Sequence, residues 1–402
     1  MGEEPVVLLQ GPRTVGKSRL LSALALRAGG EVIDLDDLAV RGAVRADPTF
    51  AIAGPAPVFI DEYQHIVEVL DAIKSELNRD LRPGRFVLAG STRHDALPAA
   101  AQALTGRLHR IDVFPFSQGE LAGTTEHFLD RLFDDPAALL GSGRSTETRE
   151  SYVDRIVRGG FPLALTRPTD AGRNRWFDDY VELILERDVA ELANLRRRTL
   201  MGQFVRRIAA QTAQVLNVNA LAAATGVDWN TAELYVKLLE SVFLIQRLPA
   251  WGTTLRARAT SKPKVHILDS GVAARLLGVS AKRLAGRDPA SLTELGHLLE
   301  TFAVGELRKQ ASWMDGIAGL GHWRTSDGDE VDLVIERDDG TIAAIEVKTS
   351  SRVTGKDLRS LEKLRDLVGP RFVAGAALYL GDRTYTYSDR IQVLPVDRLW
   401  AG

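Results

Sequence analysis

The sequence predicts an α/β chain of several domains, and three observations carry that expectation. Short apolar runs alternate with helical stretches through the first third, the pattern of a parallel sheet with helices on both faces. The run Pro5-Val6-Val7-Leu8-Leu9 leads directly into a Gly-rich octapeptide and then a helical stretch from Arg19 to Leu26. A second α/β pattern of helix, hairpin, helix and strand closes the chain from about Leu292. At 402 residues the chain is too long for one ordinary core, so two or three domains are expected on length alone.

In the first block, Val32–Leu35 reads as a short strand, and Pro57–Glu62 as a buried strand ending in two carboxylates. Ile66–Leu77 has helical apolar spacing. Arg85–Ser91 is a further buried strand, and Ile111–Val113 a last one before Pro115. Ala122–Glu150 is polar and contains Gly and Ser, the composition of a boundary. Tyr152–Leu200 reads as helical, interrupted at Gly159-Gly160-Phe161-Pro162. Gln203–Trp251 has winged-helix patterning. Val218–Val227 gives a helix and a Gly turn, and Asp228 opens a second helix to Glu240. Leu221, Leu234, Val236, Leu238 and Leu239 are its expected apolar face, and Phe243-Leu244-Ile245 starts a strand. The last block has a helix over Leu298–Gln310, strands at His322–Thr325, Glu330–Ile335 and Ile342–Val347, a helix over Leu358–Leu367 and a strand over Val373–Leu380. The turn Arg337-Asp338-Asp339-Gly340 makes a hairpin of the second and third strands. The expected domains are 1–121, 122–200, 201–280 and 285–402.

The octapeptide Gly11-Pro12-Arg13-Thr14-Val15-Gly16-Lys17-Ser18 reads G-x-x-x-x-G-K-S between a strand and a helix. That is the context of a phosphate-binding loop, so the first block is expected to be a P-loop NTPase sheet. Its amides and the helix N-terminus form a nest for phosphate. Lys17 is expected on the β- and γ-phosphates of ATP, and Ser18 on Mg²⁺. Asp61 ends a buried strand, where a parallel sheet delivers side chains to its ligand crevice. Asp61 is expected in the Mg²⁺ shell, and Glu62 as the group that orients and deprotonates water. Ser91 or Thr92 would polarise the γ-phosphate or the water, or serve only as a hydroxyl that caps its strand. Arg107, before the last strand, reads as an arginine finger, acting in its own subunit or a neighbour's, or as half of a structural salt bridge. Arg13 is a further phosphate contact.

In the last block Glu330-Val331-Asp332 lies on one hairpin strand and Glu346-Val347-Lys348 on the other. Residues i and i+2 of a strand share a face, so Glu346 and Lys348 project together, and the hairpin brings Asp332 beside them. Glu300 on the preceding helix completes the group. Such carboxylates bind Mg²⁺ through oxygen, and the ion would activate water against a phosphodiester, with Lys348 assisting. The pattern E…D…E-x-K and the order of elements resemble the restriction-endonuclease-like fold, whose members include both nucleases and domains that only bind.

Apolar content of 45% and charged content of 26% are ordinary for a globular chain. With no cysteine, disulfides, thiolate metal sites and Cys nucleophiles are excluded. No apolar run reaches membrane-span length, and the first strand starts at once, so the expectation is no leader, no membrane and a cytoplasmic location. The net charge of −2 hides a basic middle: Glu191–Lys264 holds eleven Lys/Arg against four Asp/Glu. That segment suits either DNA or an acidic protein partner.

Taken in order, Gly-Pro-Arg in the loop, Phe59-Ile60-Asp61-Glu62, Ala89-Gly90-Ser91, Gly106-Arg107, Pro115-Phe116-Ser117, Gly-Gly-Phe-Pro, the winged helix, Pro263-Lys264 with Asp269-Ser270-Gly271, and the two C-terminal triplets carry a further likeness. The chain resembles, over nearly its full length, prokaryotic AAA-superfamily ATPases with a C-terminal restriction-endonuclease-like domain. The resemblance implies ATP binding and hydrolysis at Gly11–Ser18, Asp61 and Glu62, and allows homo-oligomers. Ser18 and Ser270 stand where Thr is more usual; either hydroxyl ligates Mg²⁺. Three functions remain open: an ATPase coupled to DNA-contacting modules, an ATP-gated nuclease, and a nucleotide-switched scaffold for a protein.

Overall fold

The structure, a computed structural model, describes residues 3–96, 104–141, 143–189, 198–254, 258 and 262–401. The chain gathers into two compact units. One holds the residues up to Pro115 together with Leu238–Leu244, and the other nearly all the rest from Phe116.

The first unit is built on five parallel strands, β1 (Val6–Gln10), β2 (Val32–Asp34), β3 (Val58–Asp61), β4 (Phe86–Gly90) and β5 (Leu108–Asp112). Their order across the sheet is β2-β3-β4-β1-β5. Every residue of β1, β3 and β4 is buried, as the unbroken apolar runs require of strands covered on both faces. Alternation along β1 divides the core. Val6 and Leu8 pack with Leu70 and Ile73 of helix α2 (Val69–Leu77), whereas Val7 and Leu9 pack with Leu21 and Ala25 of helix α1 (Lys17–Ala28). The helix expected from Ile66 begins three residues later, after a 3-10 turn over Tyr63–His65. β5 begins at Leu108, earlier than the run Ile111–Val113 suggests, and residues 109–112 are exposed as befits an edge strand.

In the second unit, helices Arg149–Arg158, Pro162–Leu165 and Asp170–Leu183 are followed by a π-turn, Ile184–Val189. Residues 190–197 of the stretch read as helical lie outside the described residues. Then come helix Arg198–Ala209, β6 (Gln214–Val215), helices Val218–Thr225 and Trp229–Ser241, the latter counted with the first unit from Leu238, β7 (Ile245–Leu248) and β8 (Lys264–Ile267). The three strands form an antiparallel sheet ordered β6-β8-β7. Leu221, Val236, Leu238 and Leu239 are buried as expected, but Leu234 is exposed and Tyr235 is buried instead. Ala232, Tyr235, Val236 and Leu239 follow the i, i+3, i+4, i+7 spacing of one helix face, which leaves Leu234 outside it.

The break at Gly159-Gly160 and the segment Asp269-Ser270-Gly271 form one lock. The Gly160 N–H donates to Asp269 Oδ2 at 2.8 Å, and the N–H groups of Gly271 and Val272 donate to Oδ1 at 2.9 and 3.0 Å. Asp269 thereby caps helix Ser270–Leu277. A Cβ on Gly159 would lie 2.3 Å from Asp269 Oδ1, and one on Gly271 would lie 2.7 Å from the Phe177 ring.

The C-terminal part has the long helix Pro289–Trp313, then β9 (Ile317–Arg324), β10 (Glu330–Arg337), β11 (Ile342–Lys348), helix Gly355–Val368, β12 (Phe372–Tyr379), β13 (Tyr385–Ser388) and β14 (Ile391–Pro395). These strands form a mixed sheet ordered β13-β14-β12-β11-β10-β9. β10 and β11 are an antiparallel hairpin, and β11 pairs in parallel with β12 across the helical crossover. No helix among the described residues is long and apolar enough to cross a membrane.

Replacing Asp269 with Ala strands three buried N–H donors and is expected to cost about 3 kcal/mol. Denaturant unfolding of the variant against the wild type checks this; an unchanged midpoint would contradict the lock.

Candidate functional site

The parallel sheet brings most of the sequence-selected residues of the first unit to one edge. The loop leaves β1 after Gln10. A Cβ on Gly11 would stand 2.1 Å from the Val113 carbonyl oxygen, so the loop can pass the segment beyond β5 only with glycine there. Thr14 has φ 65° and Gly16 φ 105°, conformations that turn successive N–H groups inward as an anion nest. Lys17 opens helix α1 and is only 4% exposed. Its Nζ donates to the carbonyls of Gly11 and Pro12 at 2.8 and 2.7 Å. The ammonium is thus held over the loop.

Ser18 meets Asp61. Burial raises the Asp61 pKa above the usual carboxylate range, and a hydrogen bond from the Ser18 side chain opposes that rise. Asp61 Oδ1 also accepts the Glu62 N–H at 3.0 Å. Asp34, paired with Asp61 across β2 and β3, adds repulsion from the next strand. A hydroxyl and a carboxylate beside a phosphate nest are the oxygen donors that Mg²⁺ selects, so the residues present fit ATP with its ion.

Glu62 has φ 50°, a left-handed conformation that a non-glycine residue adopts at a cost. Its side chain is buried, and Oε2 accepts from Ser91 Oγ at 3.1 Å and from Gln64 Nε2. Gln64 Nε2 also lies 3.1 Å from Ser91 Oγ. Glycine at position 90 is required here, because a Cβ would fall 2.6 Å from the Tyr63 ring and 2.7 Å from Gln64 Oε1. Gln64 was not singled out in the sequence; nothing in its spacing marks it apart from lying two residues past Glu62. Gln10 was missed likewise. It ends β1, donates to Asp112 Oδ1 at 2.7 Å and accepts the His94 N–H at 3.2 Å.

Arg107 is not brought to this edge. It precedes Leu108, which pairs with Val6 at the start of β1, so it sits a strand length, about 16 Å, from Gly11. That exceeds the reach of its own side chain, and Nη1 donates to Asn78 Oδ1 at 2.8 Å. Of the three roles open to Arg107, action on the loop of its own subunit is the one this position does not allow.

The C-terminal residues do converge, although around a lysine. The register Leu333↔Ile345, carried one step on, sets Asp332 opposite Glu346. Lys264 Nζ on β8 lies 2.6 Å from Glu300 Oε1, 2.6 Å from Glu330 Oε1 and 3.0 Å from Asp332 Oδ1, and the residue is 1% exposed. Asp332 Oδ2 accepts the Val347 N–H at 2.9 Å. Glu346 Oε1 pairs with Lys348 Nζ at 2.6 Å, while Oε2 is buried without a hydrogen-bond partner. Burial and the Asp332 charge push Glu346 up to about 8. Glu300 is raised well above its usual range, mainly by burial, whereas the Lys264 charge keeps Asp332 low against its own burial. Among the described residues no group of three His, Cys, Asp or Glu side chains is arranged to hold a metal. The sequence flagged Lys264 within a family-like segment and gave it no role; the available signal was a lysine opening the short run Lys264-Val265-His266-Ile267.

Comparison with known proteins divides the chain similarly. Residues 3–122 match a family model described as an AAA domain. This matched stretch is the one that holds the loop and the five-stranded parallel sheet. Residues 149–283 match a domain of unknown function (DUF8612), and residues 295–399 match another (DUF4143). Uncharacterized proteins of Mycobacterium tuberculosis and Mycobacterium bovis are each 27% identical over 398 residues, 98% of this chain and 81% of theirs. Among solved structures, the Thermotoga maritima RuvB Holliday junction branch migration motor matches with 21% identity and a TM-score of 0.27, over 61% of this chain and 82% of that one. Protein VC1899 from Vibrio cholerae matches with 12% identity and a TM-score of 0.23, over 98% and 95%. AMPPCP-bound DnaA from Aquifex aeolicus matches with 13% identity and a TM-score of 0.26, over 60% and 83%.

Three histidines near Lys264 carry a pH dependence. His266, His297 and His322 all titrate below the usual 6.5, foremost because burial disfavours their charged form. Below pH 6.5 the unfolded chain therefore protonates these three rings while the folded one resists, a contribution that lowers stability as pH drops; Glu300 and Glu346, raised in the folded chain, contribute with the opposite sign. Urea unfolding at about pH 7 and about pH 5 isolates the histidine contribution by difference: acidification should destabilise His322→Gln less than the wild type, and equal changes would contradict it.

Proposed function

We propose that this chain is a Mg²⁺-dependent ATPase whose nucleotide state acts on the modules in residues 116–402. The observation that carries this reading is the meeting of Ser18 with Asp61 beside a lysine-bearing loop, with Glu62 next in the chain. The loop amides and Lys17 would hold the phosphates, and Ser18 and Asp61 the ion. Bound ATP–Mg²⁺ supplies the electrophilic phosphorus and neutralises charge developing on the phosphate oxygens. Lys17 exchanges the carbonyls of Gly11 and Pro12 for phosphate oxygens. Glu62 orients water and takes its proton, and Ser91 and Gln64 hold the Glu62 carboxylate until it does. Arg107 acts, in this reading, on the loop of a neighbouring copy.

The nucleotide-dependent output has two versions. In one, the segment around the helices Val218–Thr225 and Trp229–Ser241 is a winged helix that contacts DNA. In the other it contacts a protein, and the second helix favours that version. It exposes Trp229 and Leu234 and carries Glu233 and Glu240 against the single cation Lys237, a poor surface for phosphate. DNA binding would weaken by roughly 0.9 log units per phosphate contact for each log unit of salt. Fluorescence anisotropy with duplex DNA separates the versions: no binding at low salt leaves the protein partner.

ATP turnover tests the main reading. Lys17→Ala is expected to lose nucleotide binding. Glu62→Gln is expected to keep binding and to turn over roughly 100-fold more slowly. A wild type without turnover, or one matched by both variants, would sink the proposal.

A further inference from the structure

The restriction-endonuclease likeness implies a divalent ion among Glu300, Asp332 and Glu346, and the residues present do not fit one. Mg²⁺ demands near-octahedral oxygens at about 2.1 Å. Here Glu300 and Asp332 each direct one oxygen at the Lys264 ammonium, and Glu330 joins them. The second Asp332 oxygen is taken by the Val347 N–H. Glu346 turns to Lys348. An ammonium supplies positive charge and three donors without demanding octahedral oxygens, which matches three carboxylates arriving from a helix and a strand.

We propose that Lys264 is the resident cation of this cluster: a side chain of strand β8 takes the place of the divalent ion, so the C-terminal sheet works without a metal there. Lys264 is held in place by its own strand. β8 is the central strand of its sheet, paired with β6 and β7. The stretch just after β7 is tied to β9 of the C-terminal sheet, since the Trp251 N–H donates to the His322 carbonyl at 2.6 Å and the His322 N–H to the Pro249 carbonyl at 2.9 Å. His322 Nε2 also lies 3.0 Å from the Lys262 carbonyl. Withdrawing the Lys264 side chain would leave Glu300, Glu330 and Asp332 without their cation. Together with those backbone links, the ammonium keys the segment matched over residues 149–283 to the one matched over residues 295–399, and the carboxylates serve that junction rather than a phosphodiester.

The test is Mn²⁺ uptake by the full chain without nucleotide, followed by the electron paramagnetic resonance of free Mn²⁺. Wild type and Asp332→Asn are expected to show the same uptake, because no ion resides on Asp332. Lys264→Ala, which vacates the cluster, is expected to gain about one Mn²⁺ per chain, and adding Asp332→Asn should remove it. Wild-type uptake that disappears in Asp332→Asn would overturn the proposal, as would a folded Lys264→Ala that gains none. If Lys264→Ala does not fold, the comparison of wild type with Asp332→Asn still decides.

Discussion

A charge taken out of water must find charge or hydrogen bonds in return, and four buried charged side chains set the architecture at each motif of this chain. Lys17 is satisfied by loop carbonyls and Asp61 by Ser18 and a backbone N–H. Asp269 is satisfied by three backbone N–H groups, and Lys264 by three carboxylates. Each forces its surroundings into a particular backbone path. Two of these paths leave no room for a Cβ, at Gly11 and at Gly159. The motifs are therefore less a set of reactive groups than a set of places where buried charge has dictated the chain trace.

The same constraint separates the two clusters of carboxylates. Beside the loop, Asp61 and Glu62 retain light, exchangeable partners: a hydroxyl, an amide and backbone N–H groups. Those are partners that an incoming ion or water can replace. Around Lys264 the partner is a full positive charge on a strand built into its sheet. Removing one member of a buried ion group costs far more than the group contributes as a whole. Chemical readiness thus belongs to the first cluster and permanence to the second, although both are written as short acidic motifs at the end or the start of a strand.

Much of this was legible in the sequence. The apolar runs of β1, β3 and β4 and the loop between β1 and α1 follow from rules that act over a few residues. The hairpin β10–β11 was found because its turn and its alternation agree. Other features rest on contacts between distant residues and leave no local trace. The Gly-Gly break reads as a helix interruption, and its purpose appears only when Asp269, 109 residues away from Gly160, reaches it. β13 and β14 are short edge-side strands whose pairing is set by the sheet they join. The metal reading of Glu300, Asp332 and Glu346 was sound in spacing and hairpin register. It could not anticipate a cation arriving from β8, because nothing within the C-terminal block encodes it.

The position of Arg107 has a consequence for symmetry. The loop lies at the carboxyl edge of the parallel sheet and Arg107 at the amino edge. A two-fold axis perpendicular to the strands sets each loop beside the other copy's Arg107, so that both sites are completed at once and the dimer is closed. A head-to-tail contact completes one site per interface and repeats in one direction until it closes on itself. In either assembly an arginine that completes a neighbour's site must join opposite ends of two sheets, and the parallel run of five strands is what gives each copy those two ends.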